Sequence, residues 1–176
     1  MHELWSVDEI PESVEQGHSA VDTAGILRGF EPMTSITDIM TKDHRRCDAI
    51  FADAESSVSD SNWGEGALQF QKFHQAMEHH FSMEEKVLFP AFEVRIKQAT
   101  GPTQVMRMEH SQMRQLLSEM AETVTNRDRE SYLGLAETLM IIMQQHNMKE
   151  EQMLYRMADQ ALGTEVPQVL RMMAEM

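Results

Sequence analysis

Cysteine is nearly absent from this chain. The one residue present, Cys47, can neither close an internal disulfide nor build a thiolate-rich zinc or iron–sulfur site by itself. Any metal here must therefore be held mainly by histidine and carboxylate. Cations are also scarce: 15 Lys and Arg stand against 29 Asp and Glu, for a formal charge of −14 with His neutral. They are scattered instead of gathered into a stripe, which argues against nucleic acid or an anionic membrane as partner. No apolar run approaches bilayer-spanning length, and Met1 to Glu9 lack the basic-then-apolar plan of a signal peptide, so the expected location is the cytoplasm. Aromatics make up only 6% of the residues, and β-branched runs punctuated by turns are missing. What remains, including 17 Met, favours helix.

At 176 residues the chain has room for one domain of ordinary size. Residues 1–32 carry seven acidic residues against the single cation Arg28 and no sustained helical stripe, and are read as an acidic extension outside the core. Residues 33–163 carry four helical patterns. Ser35 caps the first, whose apolar positions Ile36, Met40, Cys47, Phe51 and Ala54 carry it to about residue 57; Ser57 to Asn62 read as the turn. Phe70, Phe73, Met77, Phe81, Leu88 and Ala91 carry the second to about residue 97, before Thr100, Gly101 and Pro102. The third opens at Pro102 and runs through Met106, Met113, Leu117 and Met120 to about Val124. The fourth carries Leu135, Leu139, Met143, Met153 and Met157 to about Gly163. Residues 164–176 form an amphipathic tail, with Val166, Leu170 and Met173 on one side. Short connections force neighbouring helices antiparallel. The expected fold is all-α: an up-down-up-down four-helix bundle with an N-terminal extension and a short C-terminal helix.

An internal repeat with an offset of 66 residues superimposes the first helix pair on the second. His44 is matched by His110, His80 by His146, Glu84 by Glu150, Glu85 by Glu151 and Leu88 by Leu154. Each half reads acidic-His (Asp43-His44, Glu109-His110), then His-x-x-x-Glu-Glu-x-x-Leu-aromatic, ending at Phe89 or Tyr155. Met40 and Met106, Cys47 and Met113, Phe51 and Leu117, and Met77 and Met143 keep the same offset.

These polar residues lie along the apolar stripes. His44 follows Met40 by four, His110 follows Met106 by four, and His80 and His146 follow Met77 and Met143 by three. Six ionisable side chains therefore face the core. Unpartnered buried carboxylates would each cost several kcal/mol or stay protonated, and a pair of metal ions removes that difficulty. Residues four apart on a helix share a face, so a histidine can ligate one ion while the glutamate a turn away bridges to the second. The repeat's pseudo-twofold gives His44 and His80 to one ion and His110 and His146 to the other, with Glu84 and Glu150 bridging. Glu151 is the alternative to Glu150. Imidazole and carboxylate without thiolate suit iron or manganese over structural zinc, and two histidines per ion leave a position open for a small molecule.

The bland readings differ by residue. His74 and Glu78 also sit four apart, but the repeat does not return them, so they belong to the surface, and His79 is solvated. Asp43 and Glu109 either accept the outer N–H of a ligand histidine or meet solvent, and Glu85 and Glu151 either orient neighbouring groups or meet solvent. Cys47 is a small buried apolar residue, and the methionines are packing around an irregular interior.

The set His44, His80-x-x-x-Glu84, His110, His146-x-x-x-Glu150 resembles the bacterial hemerythrin-like (HHE cation-binding) domain over about residues 35 to 160. The resemblance implies two iron ions with an oxo or hydroxo bridge that bind oxygen, nitric oxide or peroxide, in sensing, storage or stress defence. The alternatives it leaves are a di-iron oxidase or peroxidase and an iron donor for iron–sulfur cluster repair. It names no protein partner. Two departures stand out. Arg114 occupies the place where oxygen-carrying hemerythrins have a second third-helix histidine, and their fourth-helix carboxylate would correspond to Glu151.

Overall fold

The computed structural model describes residues 34–97 and 101–176; the acidic extension read over residues 1–32 lies outside the described residues. The first helix, α1 (Ile36–Ser59), starts at a capping box. The Ser35 hydroxyl accepts the Asp38 N–H at 2.9 Å and the Asp38 carboxylate accepts the Ser35 N–H at 3.4 Å. A second carboxylate reinforces this end from the far side of the chain. Asp159 accepts from the Ile36 and Thr37 N–H groups at 2.8 and 3.1 Å, placing negative charge where the helix dipole is positive.

The connection to α2 (Trp63–Met83) is shorter than the run of Ser, Asp and Asn suggests, because α1 continues through Ser59. Val58, expected in the turn, is fully buried against Gly66, where an added Cβ would meet Val58 Cγ2 at 2.9 Å. Burial of the Val58 side chain against Gly66 wins over local turn propensity here. The second rod then passes through a π turn (Glu84–Leu88) into α3 (Phe89–Ile96), and a left-handed Lys97 (φ 55°) ends it. Pro102 opens α4 (Pro102–Asn126) at a position where its missing N–H is not needed. Left-handed Arg127 closes α4, and Asp128 caps α5 (Arg129–Lys149) by accepting the Ser131 N–H at 3.1 Å. A second π turn (Glu150–Leu154) leads into α6 (Tyr155–Leu162), and a single 3₁₀ turn joins it to α7 (Val166–Ala174).

With each interrupted pair counted as one rod, the chain is an antiparallel four-helix bundle, and no strand occurs among the described residues. Phe51 faces Phe73 and His44 faces His80 across the first hairpin. Arg129 at the start of the fourth rod donates to the Ser59 carbonyl at the end of the first. The core falls into two apolar clusters. One gathers Cys47, Phe51, Phe73, Met77, Met113, Leu117, Tyr132 and Met143; the other gathers Met40, Leu88, Phe89, Met106, Leu154, Tyr155 and the buried residues Val166, Val169 and Met173 of α7. A polar belt separates them.

The π turns correct the apolar stripe expected for the fourth rod. Met153 and Met157 are exposed, and Leu154, Tyr155, Ala158 and Leu162 are buried in their place. In each turn the N–H of the residue after it donates to the carbonyl of the glutamate that opens it, Phe89 to Glu84 and Tyr155 to Glu150, a five-residue spacing that inserts an extra residue. The added residue rotates everything downstream by about 100°. The second rod shows the same change of phase, with Phe89 and Phe92 buried and Ala91 only partly so. Pro90 is not the cause, because the equivalent residue in the second half is Arg156.

Candidate metal centre

Every side chain of the polar belt comes from the interior of a rod: His44 on α1, His80 on α2, Glu84 in the first π turn, His110 on α4, His146 on α5 and Glu150 in the second π turn. All six are buried, both glutamates completely, and all six meet in one place. His44 Nε2 and His80 Nε2 lie 3.1 Å apart, as do His110 Nε2 and His146 Nε2, so the histidines group as the repeat suggests. Each carboxylate touches one histidine of each group. Glu84 Oε2 is 3.2 Å from His110 Nε2 and 3.5 Å from His80 Nε2; Glu150 reaches His146 Nε2 at 3.2 Å through Oε1 and His44 Nε2 at 3.3 Å through Oε2.

The outer ring nitrogens are all occupied by carboxylates. His44 Nδ1 meets Glu151 at 2.8 Å, His80 Nδ1 meets Asp43 at 2.9 Å, His110 Nδ1 meets Glu85 at 2.8 Å and His146 Nδ1 meets Glu109 at 2.9 Å. A carboxylate only accepts, so each Nδ1 carries the hydrogen and each Nε2 is left to aim a lone pair inward. Three of these carboxylates are themselves held by cations: Asp43 by Arg46, Glu109 by Lys149 and Glu85 by Arg114. Arg114 thus has a clear task. Its guanidinium spans Glu78 and Glu85 while lying 4.9 Å over the Phe81 ring, and Phe81 stacks on His110 at 4.2 Å between centroids. At this position the chain has a clamp on the outer layer of carboxylates. Glu151 belongs to that layer too, turned to the outer nitrogen of His44, while Glu150 faces inward.

The donor chemistry fits a cation pair. Glu84 Oε2 and Glu150 Oε1 are buried with no hydrogen-bond partner among the described residues, although imidazole nitrogens stand close to both. Acceptors facing acceptors in an apolar interior are strongly unfavourable unless positive charge lies between them. Without metal, protons take that part. Burial lowers His44, but Glu150 and Glu151 outweigh it and draw the imidazole up to about 9. Burial likewise lowers His110, while Glu84 and Glu85 pull it up to about 9. Burial would raise the Glu150 carboxyl, yet His146 and His44 hold it well below the usual range.

Residues read as peripheral stay so. His79 is exposed, and His74 is partly buried against Phe70, with 6.1 Å between ring centroids. Cys47 is buried and burial pushes its thiol up to about 12.

One residue of the centre was not singled out by spacing. Tyr155 is fully buried, and its hydroxyl lies 2.8 Å from Glu84 Oε1, 2.9 Å from Glu150 Oε2 and 3.1 Å from His44 Nε2. On an uninterrupted α-helix a residue five after Glu150 is turned about 140° off its face, and only the π turn brings it inward. The sequence signal was the mismatch of Phe89 with Tyr155 inside an otherwise repeated motif.

Among known families, the model described as the hemerythrin HHE cation binding domain matches residues 35–158. No curated protein matches the chain, and no solved structure does.

Proposed function

Because the chain belongs to the hemerythrin HHE cation-binding family, we propose that its buried cluster holds two iron ions and that the protein takes up a small gas or its reduced product, namely oxygen, nitric oxide or peroxide, in sensing, storage or stress defence. His44 and His80 would hold one ion, His110 and His146 the other, and Glu84 and Glu150 would span both. When bound, such a pair supplies redox-active cations with exchangeable positions. The observation that carries the reading is the convergence of four histidines and two carboxylates in two overlapping groups, with Glu84 Oε2 and Glu150 Oε1 lacking a hydrogen-bond partner among the described residues.

The rest is the work of this chain. Asp43, Glu85, Glu109 and Glu151 hold the outer N–H groups, so the four rings keep the tautomer a ligand needs. Phe81 and Phe89 stack against His110, keeping that side of the centre apolar and limiting water. A dry wall beside cations favours a small neutral guest over hydrated ions. No helix among the described residues is long and apolar enough to cross a membrane, and we place the protein in the cytoplasm.

Metal analysis with optical titration tests the proposal. Protein purified without added metal is expected to carry two iron ions per chain, and the reduced protein to develop new absorption bands with oxygen or nitric oxide. Iron-loaded protein whose spectrum changes with neither gas would refute gas binding. Sustained turnover of peroxide, many events per site, would move the assignment to a peroxidase.

A further inference from the structure

The pairs His44 and His110, His80 and His146, Glu84 and Glu150, and Glu85 and Glu151 repeat the same residue, whereas Phe89 is answered by Tyr155. Both aromatic residues are fully buried directly after a π turn. At this position the halves of the centre therefore differ by one oxygen atom. Phe89 offers a ring face to His110, with 5.9 Å between centroids, and has nothing to donate or accept.

The oxygen of Tyr155 has more partners than a hydroxyl can serve. It has one hydrogen, yet Glu84 Oε1, Glu150 Oε2 and His44 Nε2 all lie within 3.1 Å, and both carboxylate oxygens only accept. One contact can be a hydrogen bond donated by Tyr155. The second carboxylate is then left against the phenol oxygen, acceptor against acceptor, in a buried site.

The distances have a simpler reading. Ligands about 2.1 Å from a six-coordinate ion stand about 3 Å from their cis neighbours. The His44 and His80 Nε2 atoms are 3.1 Å apart, His44 Nε2 and Glu150 Oε2 are 3.3 Å apart, and the Tyr155 oxygen lies 2.8 to 3.1 Å from three members of the same set. That is the spacing of a shared coordination sphere.

The geometry points to Tyr155 as a phenolate ligand of the ion held by His44 and His80, so that the two ions are chemically unequal and the one beside Phe89, between His110 and His146, keeps the more open sphere. This rests on the di-iron reading above. As the metal–oxygen bond forms the phenol O–H bond breaks, its proton leaves to solvent, and no oxidation state changes. A hard, anionic oxygen donor favours the ferric state, which gives the proposal an optical signature.

The test uses the full chain loaded with ferric iron. Wild type is expected to show a visible phenolate-to-iron charge-transfer band, with tyrosine ring modes enhanced in the resonance Raman spectrum on exciting it. Tyr155→Phe is expected to keep two iron ions and lose the band entirely. Tyr132→Phe, which alters the only other tyrosine and lies in the opposite core cluster, is expected to keep it. Should Tyr155→Phe fail to fold, wild type grown on ring-deuterated tyrosine replaces it, and the enhanced modes must shift. Two bound irons with no enhanced tyrosine modes, or a band that survives Tyr155→Phe, overturn the ligand assignment and leave the di-iron reading standing. A chain that takes up no iron overturns both.

Discussion

A single hydroxyl means different things in the two halves of this core. Tyr132 is fully buried among apolar side chains, with its ring edge-on to Phe70, and its hydroxyl has no hydrogen-bond partner among the described residues. An unpaired buried hydroxyl costs about 1–3 kcal/mol, so Tyr132→Phe is expected to leave stability unchanged or raise it by about 1 kcal/mol, read from urea melts. Glu151 shows the opposite economy of contact. It is partly exposed, yet among the described residues it is the one that holds the outer N–H of His44. Outer-layer partners of metal-bound histidines are worth about 10–100-fold in affinity. Glu151→Ala is therefore expected to weaken iron retention by that range in a chelator competition, with helical circular dichroism unchanged. An equal affinity in the variant would remove Glu151 from the supporting layer. Cys47 belongs with Tyr132: buried, with its thiol raised to about 12, it is expected to resist thiol reagents in native protein and to react on unfolding.

At the scale of the helix, legibility depended on whether the chain kept an unbroken period. The four rods, the cap at Ser35, the stop before Pro102 and the six inward ionisable residues followed from 3.6-residue spacing, local cap and breaker residues and the repeat, and none of those six lies beyond the first residue of a π turn. Met153 and Met157 were misplaced, and Tyr155 passed unnoticed, because a π turn leaves no propensity mark in Glu-Glu-Gln-Met-Leu and shifts the face of everything after it. Val58 escaped for another reason: Ser, Asp and Asn around it suggest a turn, and only tertiary contact with Gly66 makes it helical core. Two glycines separate these effects. Gly134 lies within α5 with nothing within 4 Å of an added Cβ, so Gly134→Ala should gain the ordinary helix-propensity difference, about 0.5–1 kcal/mol. Gly66 has the same propensity to gain, but its Cβ would meet the stiff, branched Val58 at 2.9 Å. Gly66→Ala is expected to be less stable than wild type in the same thermal melts, and a gain equal to that of Gly134→Ala would show that the hairpin yields at no cost.

The whole bundle is built around charge that it cannot neutralise with its own fixed groups, and this couples its stability to metal and pH together. In the metal-free protein His44 faces Glu150, Glu151 and Glu84, and His110 faces Glu84, Glu85 and Glu150; both imidazoles are drawn up to about 9. Their folded values lie above the unfolded one, so the stability they contribute is complete below about pH 6.5 and lost as pH rises through about 9. Glu150 has the reverse sign: held well below its usual value by His146 and His44 despite burial, it contributes above about pH 4.5 and loses that contribution on further acidification. Metal-free protein should therefore be most stable between about pH 5 and 6.5 and weaken steadily towards pH 9. Bound cations do the neutralising in place of protons and remove the alkaline loss, since deprotonated Nε2 is the form that ligates. The stabilisation by iron is accordingly expected to be small near pH 5.5 and to widen with pH, approaching about 4 kcal/mol where free metal exceeds its dissociation constant a thousandfold. Paired melts of chelated and loaded protein at pH 5.5, 7 and 8.5 measure the gap, and uptake at pH 7 should release protons in a weakly buffered titration. A gap that stays constant across the range, with no proton release, would mean that the histidines are already neutral in the metal-free bundle and that its two buried carboxylates are balanced in some other way.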